Sequence, residues 1–281
     1  KTWYAVGPDP MQRNLGRANT GEGSVAMKIA VVGTRGIPDI QGGVETHCEE
    51  LFPRLAAMGH DVTVVRRSCY ITPQNKIKEY KGVHLKDIYA PRRNSLEAIV
   101  HTFLAIIYAR WVGADVLHIH AIGPALLTPL ARLLGLRVVM THHGPDYDRQ
   151  KWNKTAKSVL RWGERMGANY ANEVIVISTV IDNILREKYD RTDAHLIYNG
   201  VNKPVPAKDD SYIRSLGLTP RRYVLAVGRF VEEKGFDLLI KAFARISDSN
   251  CKLVIAGDAD HEDQYSVSLK RLAEEHQVVR T

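Results

Sequence analysis

From Met27 onward, short continuous apolar runs alternate with longer segments whose apolar residues recur every three to four positions. Runs of the first kind predict buried strands and segments of the second kind predict helices. The pattern predicts strands over 28–33, 61–66, 83–88, 115–119, 137–141, 173–177 and 194–197. It predicts helices over 46–58, 96–111, 125–134, 153–171 and 180–189. Gly59 closes the first helix, and Asn94 or Ser95 caps the second. Strands alternating with helices of this length give an α/β fold with a doubly wound parallel sheet.

The alternation breaks at 202–207, a proline-containing stretch without period. It restarts with a strand at 223–227, a helix at 236–243, a strand at 251–256 and a helix at 264–276. Three regions follow: a disordered extension over 1–26, a Rossmann-like domain over 27–203, and a partial second Rossmann-like domain over 204–281. With about two strands in the second sheet, the strand at 251–256 is expected to carry an open apolar edge.

Composition narrows the class. Net charge is +8 and the pI is about 9.3, which favours anionic partners such as nucleotides or an anionic membrane. The positive charge is spread out and no recognised nucleic-acid motif occurs, so no nucleic-acid partner is expected. Cys48, Cys69 and Cys251 are odd in number and widely spaced, which argues against a disulfide framework or a zinc knuckle. Residues 1–26 lack the apolar core of a signal peptide, and a reducing cytoplasm is the simplest compartment. The apolar helix at 96–111 carries Glu97, His101 and Arg110 and falls short of a membrane span. On the helix at 153–171, Trp152, Ala156, Val159, Leu160, Gly163 and Met166 share one face, and Lys154, Lys157, Arg161 and Arg165 the other. That basic face is either an ordinary solvated surface or a contact for anionic lipid, which would make the protein peripheral at the inner face of a membrane.

Three stretches offer chemistry. In Gly228-Arg229-Phe230-Val231-Glu232-Glu233-Lys234-Gly235, Arg229 leaves the carboxyl end of a strand and Lys234 stands beside a helix start. A guanidinium and an ammonium there suit a diphosphate, because ligands bind at that edge and helix N-termini favour anions. The plainer reading is a solvated loop in which Glu232 and Glu233 pair with the two cations. The loop from Gly33 to Thr46 is neither G-x-G-x-x-G nor a P-loop, but Gly42-Gly43 precedes a helix and lets backbone approach a ligand. A flexible turn would look the same. His118 and His120 alternate on one strand, and His142 and His143 end the next. A metal held with Asp146 is conceivable, but no recognised ligand spacing occurs. His120 reads as a packed histidine, whereas His143, beside Gly144, is placed to touch a bound molecule.

Val138-Val139-Met140-Thr141-His142-His143-Gly144, Ile197-Tyr198-Asn199-Gly200-Val201, and Gly228-Arg229-Phe230 with Lys234-Gly235-Phe236 occur in order. Together they resemble a retaining glycosyltransferase of the GT-B fold, family 4. The opening Met27-Lys28-Ile29-Ala30-Val31-Val32-Gly33-Thr34-Arg35-Gly36-Ile37-Pro38 with Gly42-Gly43-Val44-Glu45-Thr46 is similar to the rhamnosyltransferase-like branch of bacterial surface polysaccharide assembly.

The resemblance implies two Rossmann-like domains holding a nucleotide-diphosphate sugar, and transfer to a glycan or lipid-linked acceptor. It implies that Arg229 and Lys234 bind the diphosphate, that Gly42 and Gly43 lie against the donor phosphate, and that His143 orients the reacting sugar. Arg35, Glu45, Asp146, Asn199 and Gly200 become candidate acceptor or sugar contacts. No metal or other cofactor is expected. The family's Glu-x7-Glu pair is missing, since no two glutamates here stand at that interval. The expectation is a C-terminally truncated chain that does not turn over alone. A nucleotide-sugar epimerase of the same fold, or a non-catalytic nucleotide- or glycan-binding module, remain alternatives.

Overall fold

A computed structural model describes residues 25–92, 96–148, 152–203, 205, 209–246, 250–259 and 263–280. They divide into two compact units, one ending at Gly200 and one starting at Val201. The expected extension at 1–26 lies almost wholly outside the described residues, as do the predicted caps Asn94 and Ser95.

The first unit runs β1 (Lys28–Val32), α1 (Gly43–Ala57), β2 (Asp61–Arg67), β3 (Glu79–Tyr80), β4 (Val83–Ile88) and α2 (Glu97–Trp111). It continues through β5 (Val116–His120), α3 (Ile122–Ala125), α4 (Thr128–Leu133), β6 (Arg137–His142), α5 (Lys154–Tyr170), β7 (Glu173–Val176), α6 (Thr179–Tyr189) and β8 (His195–Leu196). The strands form one sheet in the order β3-β4-β2-β1-β5-β6-β7-β8, parallel throughout except for the β3–β4 hairpin. Alternate residues of β1 enter different cores. Ala30 and Val32 join a cluster with α2 to α6, while Ile29 and Val31 pack with Cys48 and Phe52 of α1. The sheet is therefore covered on both faces, as a parallel sheet must be.

Three predicted boundaries move. Helix α1 begins at Gly43, three residues earlier than the apolar period suggested, so Gly42 is its N-cap. Helix α2 is preceded by Leu96 as N-cap, without a side-chain cap. The helix predicted over 125–134 is two short helices. Pro129 lacks an N–H and fits only a first helical turn, so the chain restarts at Thr128.

The second unit comprises α7 (Ser211–Ser215), β9 (Tyr223–Val227), α8 (Phe236–Phe243), β10 (Lys252–Ala256), α9 (Gln264–Glu275) and β11 (Val279–Arg280). Its parallel sheet has the order β11-β10-β9. Phe230, Phe236, Ile240, Leu253, Ile255, Leu269 and Ala273 form its core. Two expectations are overturned. β9 is an edge strand with Val224, Leu225 and Val227 exposed, not a buried one. Among the described residues β10 lies between two strands, so the edge there is 223–227 rather than 251–256.

Candidate active site

The carboxyl ends of β1, β2, β5 and β6 set the site in the first unit. Two successive arginines end β2 and anchor the loop after β1. Arg66 is fully buried; its Nε donates to Asp87 at 2.7 Å, and its guanidinium also donates to the carbonyls of Ile37, Asn75 and Ile77. Arg67 donates to Glu97 at 2.7 Å and to the Gly33 carbonyl at 3.1 Å. Both arginines thus support the 33–42 loop, in which the Ile37–Pro38 bond is cis.

Glu45 ties the same loop to α1. Its Oε1 accepts from the Arg35 amide at 2.9 Å and from the Thr34 hydroxyl at 3.2 Å. Its Oε2 lies against Gly42, where an added Cβ would overlap it. Gly42 also has φ +155°, which favours glycine. The carboxylate of Glu45 therefore already sits at the N-terminus of α1, in the place a helix dipole favours for an anion. Gly43 is exposed with open space beside it, so backbone is accessible there. Arg35 donates to the Gln41 carbonyl and lies over the Tyr70 ring at 5.1 Å.

Between α1 and the sheet lies a cluster of histidines. His118 and His120 stack at 4.3 Å between ring centroids, and Phe52 meets both edge-on. His118 bonds Thr141 at 2.8 Å; His120 Nδ1 bonds His143 Nε2 at 2.9 Å. His47, one turn into α1, meets the His143 ring at 5.2 Å. Burial lowers the pKa of His143 to about 3, helped by His47 and His142, and lowers that of His118 to about 3. Burial also holds His120 well below its ordinary value and lowers His47. The cluster is therefore neutral near pH 7. Nitrogens of His47, His120 and His143 lie within 4.8 Å of one another and could hold a metal ion.

The loop after His142 is fixed from beneath. His142 is fully buried and its Nε2 meets Glu164 Oε1 at 2.8 Å. Its Nδ1 accepts the Gly144 amide at 3.1 Å. Glu164 also accepts from Tyr147 at 3.1 Å and from Tyr189 at 2.7 Å. Burial pushes the Glu164 carboxyl up, but the hydrogen bonds from His142, Tyr189 and Tyr147 outweigh it and leave the group below its ordinary value. Asp146 is half-buried in a short 3-10 turn (Asp146–Asp148), its amide bonded to the Gly144 carbonyl. Asn199 and Gly200 are exposed at the end of the first unit.

In the second unit, Phe230 anchors the 228–235 turn in the core while Arg229 is half-buried and Lys234 exposed. The Lys234 stem crosses Gly228, where its Cε would lie 3.7 Å from an added Cβ. Gly235 is the N-cap of α8 and offers no capping side chain. Asp237, in the first turn of α8, is held by Tyr265 at 3.1 Å and Lys241 at 3.6 Å.

The structure thus gathers the 35–45 loop and His143 at one edge of the first sheet, and Arg229 and Lys234 at one turn of the second. Sequence reasoning missed His47, Arg66, Arg67 and Glu164. A signal existed for the last: Glu164 is an acid on the face of α5 that carries Gly163, Gly167 and Ala168 into the interior.

Among curated proteins, an uncharacterised glycosyltransferase of Methanocaldococcus jannaschii is 26% identical over 277 residues, covering 90% of this chain and 68% of the relative. The alpha-maltose-1-phosphate synthase of Mycobacterium tuberculosis is 27% identical over 266 residues, covering 88% and 66%. The chain thus spans about two thirds of the length of these relatives. Among solved structures, sucrose-phosphate synthase from Thermosynechococcus elongatus superposes with a TM-score of 0.71 at 21% identity, covering 90% of this chain and 69% of that one. Anabaena HepE in complex with UDP-glucose gives 0.69 at 17% identity, covering 91% and 68%. These likenesses identify the fold as GT-B. The family model for Glycosyl transferases group 1 matches residues 209–280, and that for Glycosyltransferase Family 4 matches residues 41–203. More than half of the chain lies within the second match, and the protein belongs to glycosyltransferase family 4.

Proposed function

We propose that the protein is a retaining glycosyltransferase of the rhamnosyltransferase-like branch. It moves a sugar from a nucleotide-diphosphate sugar to a glycan or lipid-linked acceptor in bacterial surface polysaccharide assembly. The observation that carries this reading is the 228–235 turn, where Arg229 and Lys234 stand at the carboxyl end of β9 beside the uncapped start of α8. A diphosphate leaving group gains negative charge as the glycosidic bond breaks, and two cations beside it would stabilise that charge without a metal. Gly42 and Gly43 bring backbone close to the donor. His143 orients a sugar hydroxyl, and because it is neutral it does not oppose positive charge growing at the anomeric carbon. Arg35, Asp146, Asn199 and Gly200 remain candidate sugar or acceptor contacts, whereas Glu45 acts through the loop it braces. The likeness to HepE, solved with UDP-glucose, makes UDP-sugars the first donors to test.

Calorimetric titration of nucleoside diphosphates into the protein and its Arg229→Ala variant tests the clamp. One charge-assisted hydrogen bond contributes roughly 1.5–3 kcal/mol, so affinity should fall about ten-fold or more. Equal affinities would remove Arg229 from the site.

A membrane-associated acceptor is favoured by one specific observation. In α2, α3, α4 and α5 the only carboxylates are Glu97 and Glu164, and both are buried. Arg110, Arg132, Lys154, Arg161 and Arg165 of the same helices are exposed, together with Phe103, Ile107, Trp111, Leu133 and Trp162. Cations interspersed with aromatic and aliphatic side chains, and no acid, suit an anionic bilayer surface. Reversing the charge of Lys154, Arg161 and Arg165 should release the protein from phosphatidylglycerol-containing vesicles. Undiminished binding would leave this surface without a role.

A further inference from the structure

The 143–148 loop, which carries both His143 and Asp146, is attached to one buried carboxylate at its two ends. At the first end, Glu164 accepts from His142 Nε2. The other nitrogen of that ring, Nδ1, accepts the amide N–H of Gly144. A backbone amide can only donate, so Nδ1 carries a lone pair and the ring proton lies on Nε2, facing the carboxylate. At the far end, Tyr147 donates its hydroxyl to the same carboxylate, and Lys188 donates to that hydroxyl at 3.1 Å. Tyr189 closes the set from α6. Gly144 itself has φ +142°, with open space at its Cβ position, and its amide is held by the His142 ring.

We propose that Glu164 is a positioning residue for the sugar-binding loop: it sets the His142 tautomer, and through His142 and Tyr147 it fixes where His143 stands. This rests on the reading of His143 as a sugar contact. Glu164 touches neither His143 nor any reacting atom in this arrangement. Its role is to keep the imidazole of His143 from wandering by the fraction of an ångström that positioning chemistry does not tolerate. A side-chain amide in its place has one acceptor oxygen, and so cannot serve three donors equally.

The test compares the protein with Glu164→Gln by NMR of the imidazole nitrogens and by amide exchange. In the parent, His142 should show the Nε2–H tautomer. In the variant that signature should weaken, because an amide oxygen is a poorer acceptor than a carboxylate, and exchange of the Gly144 amide should accelerate about ten-fold, the scale of one lost hydrogen bond. An unchanged His142 tautomer together with unchanged Gly144 exchange would overturn the proposal. Tyr147→Phe serves if the amide variant does not fold: it should speed exchange at Asp146 and Asp148 while leaving the His142 tautomer in place, and no change there would count equally against the clamp. Titration with UDP-sugars separates this from the reading beneath it. In the parent, donor should shift the His143 ring signals; in Glu164→Gln that shift should shrink while UDP affinity, set by Arg229 and Lys234, stays the same. If no nucleotide-sugar moves His143 in the parent but the tautomer and exchange respond to Glu164→Gln, His143 loses its assignment and the clamp stands.

Discussion

At the scale of single residues, the first unit stores its chemistry in histidines that stay neutral. Burial lowers His101 to about 4, with Arg67 adding to it, and lowers His118 and His143 to about 3. His120 is lowered in the same direction. Unfolded histidine titrates near 6.5. Between those values the unfolded chain binds protons that the folded chain refuses. The stability these groups contribute is therefore complete above about pH 6.5 and is lost as pH falls towards 4 and below. Each proton makes the slope steeper by about 1.4 kcal/mol per pH unit. Urea unfolding followed from pH 7 to pH 4.5 should show uptake approaching about four protons. His101→Leu should lower it by one; a flat profile would mean that these histidines are solvated. Histidines this buried were only partly legible in sequence. His143 was marked by its place between a strand end and a glycine. His47 was not, because only the packing of α1 against β5 brings it to the cluster.

At the scale of elements, alternation of apolar runs and periodic segments placed nearly every strand and helix of the first unit, because strand burial on both faces leaves a continuous apolar signature. The finer features depended on neighbours. Helix α5 approaches α3 so closely that a Cβ at Gly163 would overlap the carbonyl oxygen of Ile122, and one at Gly167 would overlap Met140. This contact turns Gly163, Glu164, Gly167 and Ala168 inward and leaves Val159 and Trp162 outside, rotating the buried face away from the one drawn by hydrophobicity alone. Gly163→Ala forces backbone apart and should cost about 1–3 kcal/mol in urea unfolding. Gly43→Ala is the contrasting case. Open space surrounds the position, and alanine is the better helix former, so stability should hold or rise by up to about 1 kcal/mol. If donor affinity nonetheless falls in Gly43→Ala, close backbone approach is the function of that glycine. If affinity and stability are both unchanged, the Gly42-Gly43 pair shapes a turn and nothing more.

At the scale of the whole molecule, the two units differ in how completely they bury what they contain. The first has an eight-stranded sheet with a core on each face. The second, among the described residues, has three strands, one main cluster, and an edge strand with exposed apolar side chains. Sequence could not distinguish these situations, since Tyr223-Val224-Leu225-Ala226-Val227 is as apolar as any buried strand and exposure is decided by what lies beside it. Less buried apolar area means less hydrophobic stabilisation, so the second unit should unfold first. Urea titration monitored by amide exchange should give two transitions, with β9 and β10 exchanging at lower denaturant than β1 and β5. A single coincident transition would mean that the units stabilise one another enough to unfold together. The exposed edge has a further consequence. A strand with one open edge and exposed apolar side chains invites pairing with another chain, and a lysine on such an edge opposes it. Val227 is 70% exposed, so Val227→Lys removes little packing. It should reduce concentration-dependent light scattering while leaving both transitions in place. Scattering that persists unchanged would put the association elsewhere, with the aromatic and basic outer surface of α2 and α5 as the next region to examine by the same measurement.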